Sequence, residues 1–172
     1  ELIKKAKRVA NPGCYPTGAI SLVRPLIENS IIPSSYPLTI NAVSGYSGGG
    51  KSLIKRFETE ENEAPPIYFY GTNLSHKHLP EMQQYIGLDN PPFFIPSVGK
   101  YMHGMIVQVP IYLTESLNTA NRPQKIHDVL SQHYDSSNFV TVNPLDTART
   151  PVEIFPEKLN HSNMLEINVF SN

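Results

Sequence analysis

Cysteine is nearly absent from this 172-residue chain: Cys14 stands alone. No internal disulfide can form. A reducing, cytoplasmic compartment is the expectation, and the thiol needs a reason to be there, whether reactivity or burial. An excess of positive charge is also missing, since Lys plus Arg is 14 against 15 for Asp plus Glu. That speaks against nucleic acid or an acidic membrane surface as partner. No apolar run is long enough to cross a bilayer, and neither end reads as a targeting signal. Repeats and low-complexity tracts are lacking. No G-x-G-x-x-G follows a strand in a βαβ setting. The chain opens on Glu1-Leu2-Ile3 without a methionine, and a fragment of a longer protein is expected.

Proline is plentiful. Its 16 residues are scattered, which favours turns over a helical bundle. Hydrophobic residues make up 40% of the chain, enough for one domain with its own core, here taken as 1–172. Helical spacing of apolar residues predicts helices over Thr17–Asn29 (Thr17 as N-cap, Pro25 interrupting) and Pro123–Tyr134, where Ile126, Val129, Leu130 and His133 share a face. Shorter helices are expected over Lys51–Glu58 and Pro80–Ile86. Strands are expected over Leu38–Val43, Met105–Leu113, Phe139–Val142 and Met164–Phe170, the second of these apolar on both faces. Thr59–Pro66 reads as an acidic surface loop. The fold class is therefore α+β: a mixed, mostly antiparallel sheet with helices on one face.

The segment Asn11-Pro12-Gly13-Cys14-Tyr15-Pro16-Thr17 places the thiol in a turn at a helix start. Unpaired N–H groups and the helix dipole favour negative charge there, and the thiolate is the nucleophile. The same N–H groups could hold an oxyanion. A buried structural cysteine is the bland alternative. Gly45-Tyr46-Ser47-Gly48-Gly49-Gly50-Lys51-Ser52 matches the nucleotide-binding pattern G-x-x-x-x-G-K-[ST] between a strand and a helix. A P-loop protein is thus an alternative reading, weakened by the lack of repeated βαβ units and of a strand ending in a magnesium-binding Asp. Otherwise the loop's N–H groups and Lys51 suit an anion, or the loop is a tight turn with a solvated lysine. His76, His78 and Glu81 fall within a few residues. An extended His-x-His can share one site as a proton carrier or a metal pair, but no third strong ligand is placed, and no metal is expected.

These segments, together with Pro96-Ser97-Val98-Gly99-Lys100-Tyr101, resemble in order and spacing the N-acetyl-gamma-glutamyl-phosphate reductases, relatives of aspartate-semialdehyde dehydrogenase. The resemblance runs over nearly the whole chain and is strongest to the shorter bacterial form. It implies Cys14 as nucleophile, His78 as acid/base with His76 the close alternative, and Glu81 in support. It implies substrate contacts at Asn11, Ser44, Gly45, Ser47, Lys51 and Lys100. It further implies NADP(H), bound mainly by a Rossmann domain missing from this sequence, a small acyl-phosphate substrate, and a dimer or tetramer. Asn160-His161-Ser162-Asn163 stands where the family commonly has Gly-Thr-Asn. A non-catalytic oligomerisation module is the third reading.

Overall fold

The computed structural model describes residues 2–59, 64–112, 122–145 and 152–171. Helices α1 (Leu2–Lys5) and α2 (Cys14–Glu28) lead into strand β1 (Thr39–Gly45). A short 3₁₀ turn (Tyr46–Gly49) follows, then α3 (Gly50–Thr59), β2 (Ile67–Phe69), α4 (Leu79–Ile86), β3 (Phe93–Gly99) and β4 (Met105–Gln108). Helix α5 (Arg122–Tyr134) and strands β5 (Val140–Val142) and β6 (Leu165–Ile167) complete the described elements.

The principal sheet has the order β2-β3-β1-β4. Its centre, β1 beside β3, is parallel, while β4 on β1 and β2 on β3 are antiparallel. Strands β5 and β6 form a separate parallel pair. The fold is α+β with a mixed sheet, and the pairings of the main sheet are mostly antiparallel. Helices cover one face only. Ile40 and Ala42 of β1 and Phe94 of β3 meet Ala19, Val23 and Leu26 of α2, Met82 and Ile86 of α4, and Leu130 of α5 in one core. Phe57 of α3 stacks on Tyr46 and Tyr68 on the same side, against Val98. Among the described residues no helix packs on the opposite face. Val43, Ile95 and Ile106 lie across it with Asn41 and Gln108, and Phe69 stands 65% exposed at its edge.

Helix α2 starts earlier than its apolar spacing suggests. Gly13 is the N-cap and Cys14 the first helical residue, while Thr17 turns its hydroxyl back to donate to Gly13 O at 2.9 Å. Pro16 fits because first-turn N–H groups have no intrahelical acceptor. Pro25 does not break the helix. It removes the donor that would reach Ser21 O, and Tyr134 Oη from α5 donates to that carbonyl instead, at 2.8 Å. Helix α4 closes on Gly87 in the left-handed region, φ 88°, whose N–H reaches Gln83 O. On α5, Ile126 and Leu130 are buried as expected, but His133 is exposed and rests edge-on against Tyr134.

Two strands were not expected. β2 has three residues, too few to show a period. β3 contains Pro96, which argues against an inner strand. Pro96 O accepts from Tyr70 N, so its nitrogen also faces the β2 side, just beyond the last β2 pair, where the missing N–H forfeits only the reciprocal bond to Tyr70 and none to β1. Conversely, β4 ends at Gln108, before Pro110, rather than running to Leu113, which lies outside the described residues. His161 adopts φ 63°, a conformation that favours glycine, in the turn where the resemblance led to a glycine being expected.

Candidate active site

The first turn of α2 brings the site together. Gly13 N–H donates to both oxygens of Glu81, at 3.0 and 3.3 Å, fastening the start of α2 to the first turn of α4. One N–H of the thiol turn is therefore committed to a carboxylate rather than open to an oxyanion. A Cβ at Gly13 would come within 2.8 Å of His78 Nε2 and 2.9 Å of Glu81 Oε2, so the backbone next to the thiol touches both groups, and only glycine leaves room for them. Cys14 itself is exposed. Thiol turn, imidazole and carboxylate thus share one corner, although 68 residues separate Gly13 from Glu81.

The two histidines differ. His78 N–H donates to His76 Nδ1 at 3.1 Å, so that nitrogen carries no proton and His76 is held as its Nε2–H tautomer. Its ring sits edge-on to Phe94, centroids 5.1 Å apart, and edge-on to Tyr15 at 6.1 Å. His78 Nδ1 is buried with no partner among the described residues. Burial is the main reason His78 is held below the ordinary histidine pKa; Lys77 adds to this and Glu81 opposes it. His76 is lowered too, by burial first, then by His78 and Lys77. Both imidazoles therefore favour the neutral form.

Beneath them lies Tyr15, 2% exposed. Its hydroxyl donates to Ser97 O at 3.1 Å and lies 2.9 Å from Ser44 Oγ, and Tyr70 Oη donates to it at 3.3 Å. Since its one proton goes to Ser97 O, Ser44 must donate to Tyr15. Burial raises the pKa of Tyr15, with the Ser44 and Tyr70 bonds working against that. Tyr70 is raised by burial above all. These hydroxyls stay neutral.

The glycine-rich turn is not an open phosphate cradle. The N–H groups of Gly45, Tyr46 and Ser47 donate to Gly104 O, Tyr101 O and Met102 O at 3.0, 2.9 and 3.1 Å. A Cβ at Gly45 would stand 2.5 Å from Met102 O, so the turn and the 101–104 loop are in direct backbone contact. Ser47 Oγ lies 3.0 Å from His103 Nδ1. Three N–H donors at the start of the turn are thus spent within the protein rather than turned to an anion.

Of the residues expected at the site, Cys14, His76, His78 and Glu81 cluster, and Ser44 joins them through Tyr15. Gly45 and Ser47 sit one step further on, against the 101–104 loop. Asn11, Lys51 and Lys100 are exposed. Tyr15 and Tyr70 were missed as site residues. Tyr15 had a signal: the buried stripe Ala19, Val23, Leu26 extends back to it at helical spacing. Among the described residues no group of metal-ligating side chains converges, and no helix is long and apolar enough to cross a membrane.

Residues 14–172 match the family model of the semialdehyde dehydrogenase dimerisation domain. An N-acetyl-gamma-glutamyl-phosphate reductase of Rhizobium meliloti (strain 1021) is 47% identical over 98% of this chain and 55% of its own length. Proteins of the same name from Burkholderia cenocepacia (strain HI2424) and Brucella anthropi are 44% and 45% identical over 99% of the chain and 55% of theirs. The chain spans about half the length of these curated relatives. With a model match across nearly all of its residues, the chain belongs to the semialdehyde dehydrogenase dimerisation-domain family.

Proposed function

We propose that this chain is the nucleophile-bearing, acyl-binding domain of an N-acetyl-gamma-glutamyl-phosphate reductase, one domain of a longer two-domain enzyme. The observation that carries this reading is the corner where Gly13 N–H meets Glu81 and His78 Nε2 lies against Gly13, beside the exposed Cys14. The Cys14 thiolate attacks the acyl carbon of N-acetyl-L-glutamyl 5-phosphate. An S–C bond forms, the C–O bond to phosphate breaks, and phosphate leaves a thioester on the enzyme. NADPH, held mainly by protein outside this chain, supplies the hydride. His78 then gives a proton to the former carbonyl oxygen, forming a hemithioacetal, and takes that proton back as the C–S bond breaks, which releases N-acetyl-L-glutamate 5-semialdehyde and restores the thiolate.

His78 is preferred to His76 as the acid/base because its Nε2 faces the thiol turn, whereas His76 Nδ1 is engaged by a backbone N–H. Glu81 positions both the turn and the imidazole. Ser44, Gly45 and Ser47, at the carboxyl end of β1, are proposed to border the substrate, with Asn11, Lys51 and Lys100 offering polar and cationic groups around it. The uncovered sheet face is proposed to pair with that of a second copy, as the family's description as a dimerisation domain suggests. The test is NADPH oxidation by the complete enzyme offered N-acetyl-glutamyl phosphate or acetyl phosphate. Turnover confined to the former supports the reading. Preference for the short acyl phosphate contradicts it.

A further inference from the structure

Burial alone would not require a tyrosine after the nucleophile. Position 15 opens the apolar stripe of α2, and a leucine there would fill the core equally well. The tyrosine ring does more than fill. It stands edge-on to His76 and to His78, with centroids 6.1 Å away in both cases, and 5.2 Å from Phe94. Its hydroxyl is gripped at the ends of both central strands, by Ser44 of β1 and Ser97 O of β3, and by Tyr70. The ring is thus fixed to the sheet at one end and pressed against both imidazoles along its edge. His78, by contrast, has a ring nitrogen, Nδ1, buried without a hydrogen-bond partner among the described residues. No hydrogen bond at that nitrogen orients the ring, so packing must.

We propose that Tyr15 is the positioning residue for His78: its ring holds the imidazole against Gly13 and keeps water from one side of it. This rests on the reading of Cys14 and His78 as the reacting pair. The groups facing His78 are Tyr15 from α2, Glu81 from α4, and His76 and Lys77 from its own loop. Burial outweighs the carboxylate among them, so thinning the cover moves the proton affinity of His78 up.

The experiment compares Tyr15→Leu and Tyr15→Phe with the unaltered protein. Imidazole titration is followed by NMR in this chain, and turnover against pH in the complete enzyme. In the unaltered chain, cross-relaxation links the Tyr15 ring to both imidazoles. In Tyr15→Leu the His78 midpoint rises towards the ordinary histidine value and kcat falls about tenfold or more, with KM changing by less than about twofold. Tyr15→Phe keeps the ring, so its His78 midpoint stays near the original and most of the lost turnover returns. A Tyr15→Leu protein with a lower melting temperature but an unmoved midpoint overturns the proposal. So does a Tyr15→Phe protein as impaired as Tyr15→Leu. If the leucine variant does not fold, the phenylalanine variant and the cross-relaxation decide, and absent cross-relaxation overturns it. Failure of the reductase reading is separate: it would show as full turnover in His78→Ala, whatever Tyr15 does.

Discussion

At the scale of single residues, the proposed chemistry depends on which imidazole moves a proton and in which state it starts. His78 is depressed mainly by burial, so it is neutral over more of the pH range than a free histidine. In the aldehyde-oxidising direction the imidazole must begin as a base. Activity in that direction should therefore persist as pH falls through the ordinary histidine range and decline only below it, as His78 takes up a proton. His78→Ala should lose that limb and about a hundredfold or more of kcat, while His76→Ala keeps the limb. A pH–rate profile of the two variants checks this, and the opposite pattern would exchange their roles. Much of this cluster was legible because its members lie in two short motifs, Gly13-Cys14 and His76-x-His78-x-x-Glu81. The Tyr15 network was not. Its contacts join residues 29 and 82 apart, a separation that local spacing does not encode.

At the scale of elements, α2 shows how tertiary contacts settle what propensity leaves open. Pro25 argued for an interrupted helix, yet the helix continues because α5 supplies the missing donor through Tyr134 to Ser21 O. Removing that donor leaves a partly buried carbonyl short of its partner. Tyr134→Phe should destabilise the fold by about 1 kcal/mol, read as a lower urea midpoint with an unchanged slope. No change in midpoint would mean that water serves the carbonyl equally well. The strands divide along the same line. β1 and the first half of the expected Met105–Leu113 strand were readable from alternation. β2 and β3 were not, since a three-residue edge has no period and Pro96 is tolerated only because β2 stops short of it. The glycine-rich turn matched a nucleotide pattern in sequence while its first three N–H groups went to the 101–104 loop, a partner no pattern names.

At the scale of the whole molecule, a sheet with helices on one side leaves the other side to be covered. Ile67, Phe69 and Phe93 are 53%, 65% and 46% exposed, and Val43, Ile95 and Ile106 lie among them. Such a face in contact with water favours association. Sedimentation of this chain should give a dimer, and Phe69→Asp should shift it towards monomer without loss of helical signal. A dimer untouched by that substitution would place the contact elsewhere.

The central claim is that Cys14, cornered by His78 and Glu81, takes up the acyl group. The most direct measurement is the intact mass of the complete enzyme after mixing with N-acetyl-glutamyl phosphate in the absence of NADPH. The account predicts one added N-acetyl-glutamyl group, mapped by peptide mass to Cys14, released by hydroxylamine and absent from Cys14→Ser. An acyl adduct that forms at the normal rate in Cys14→Ser, or that maps to another residue, would contradict it.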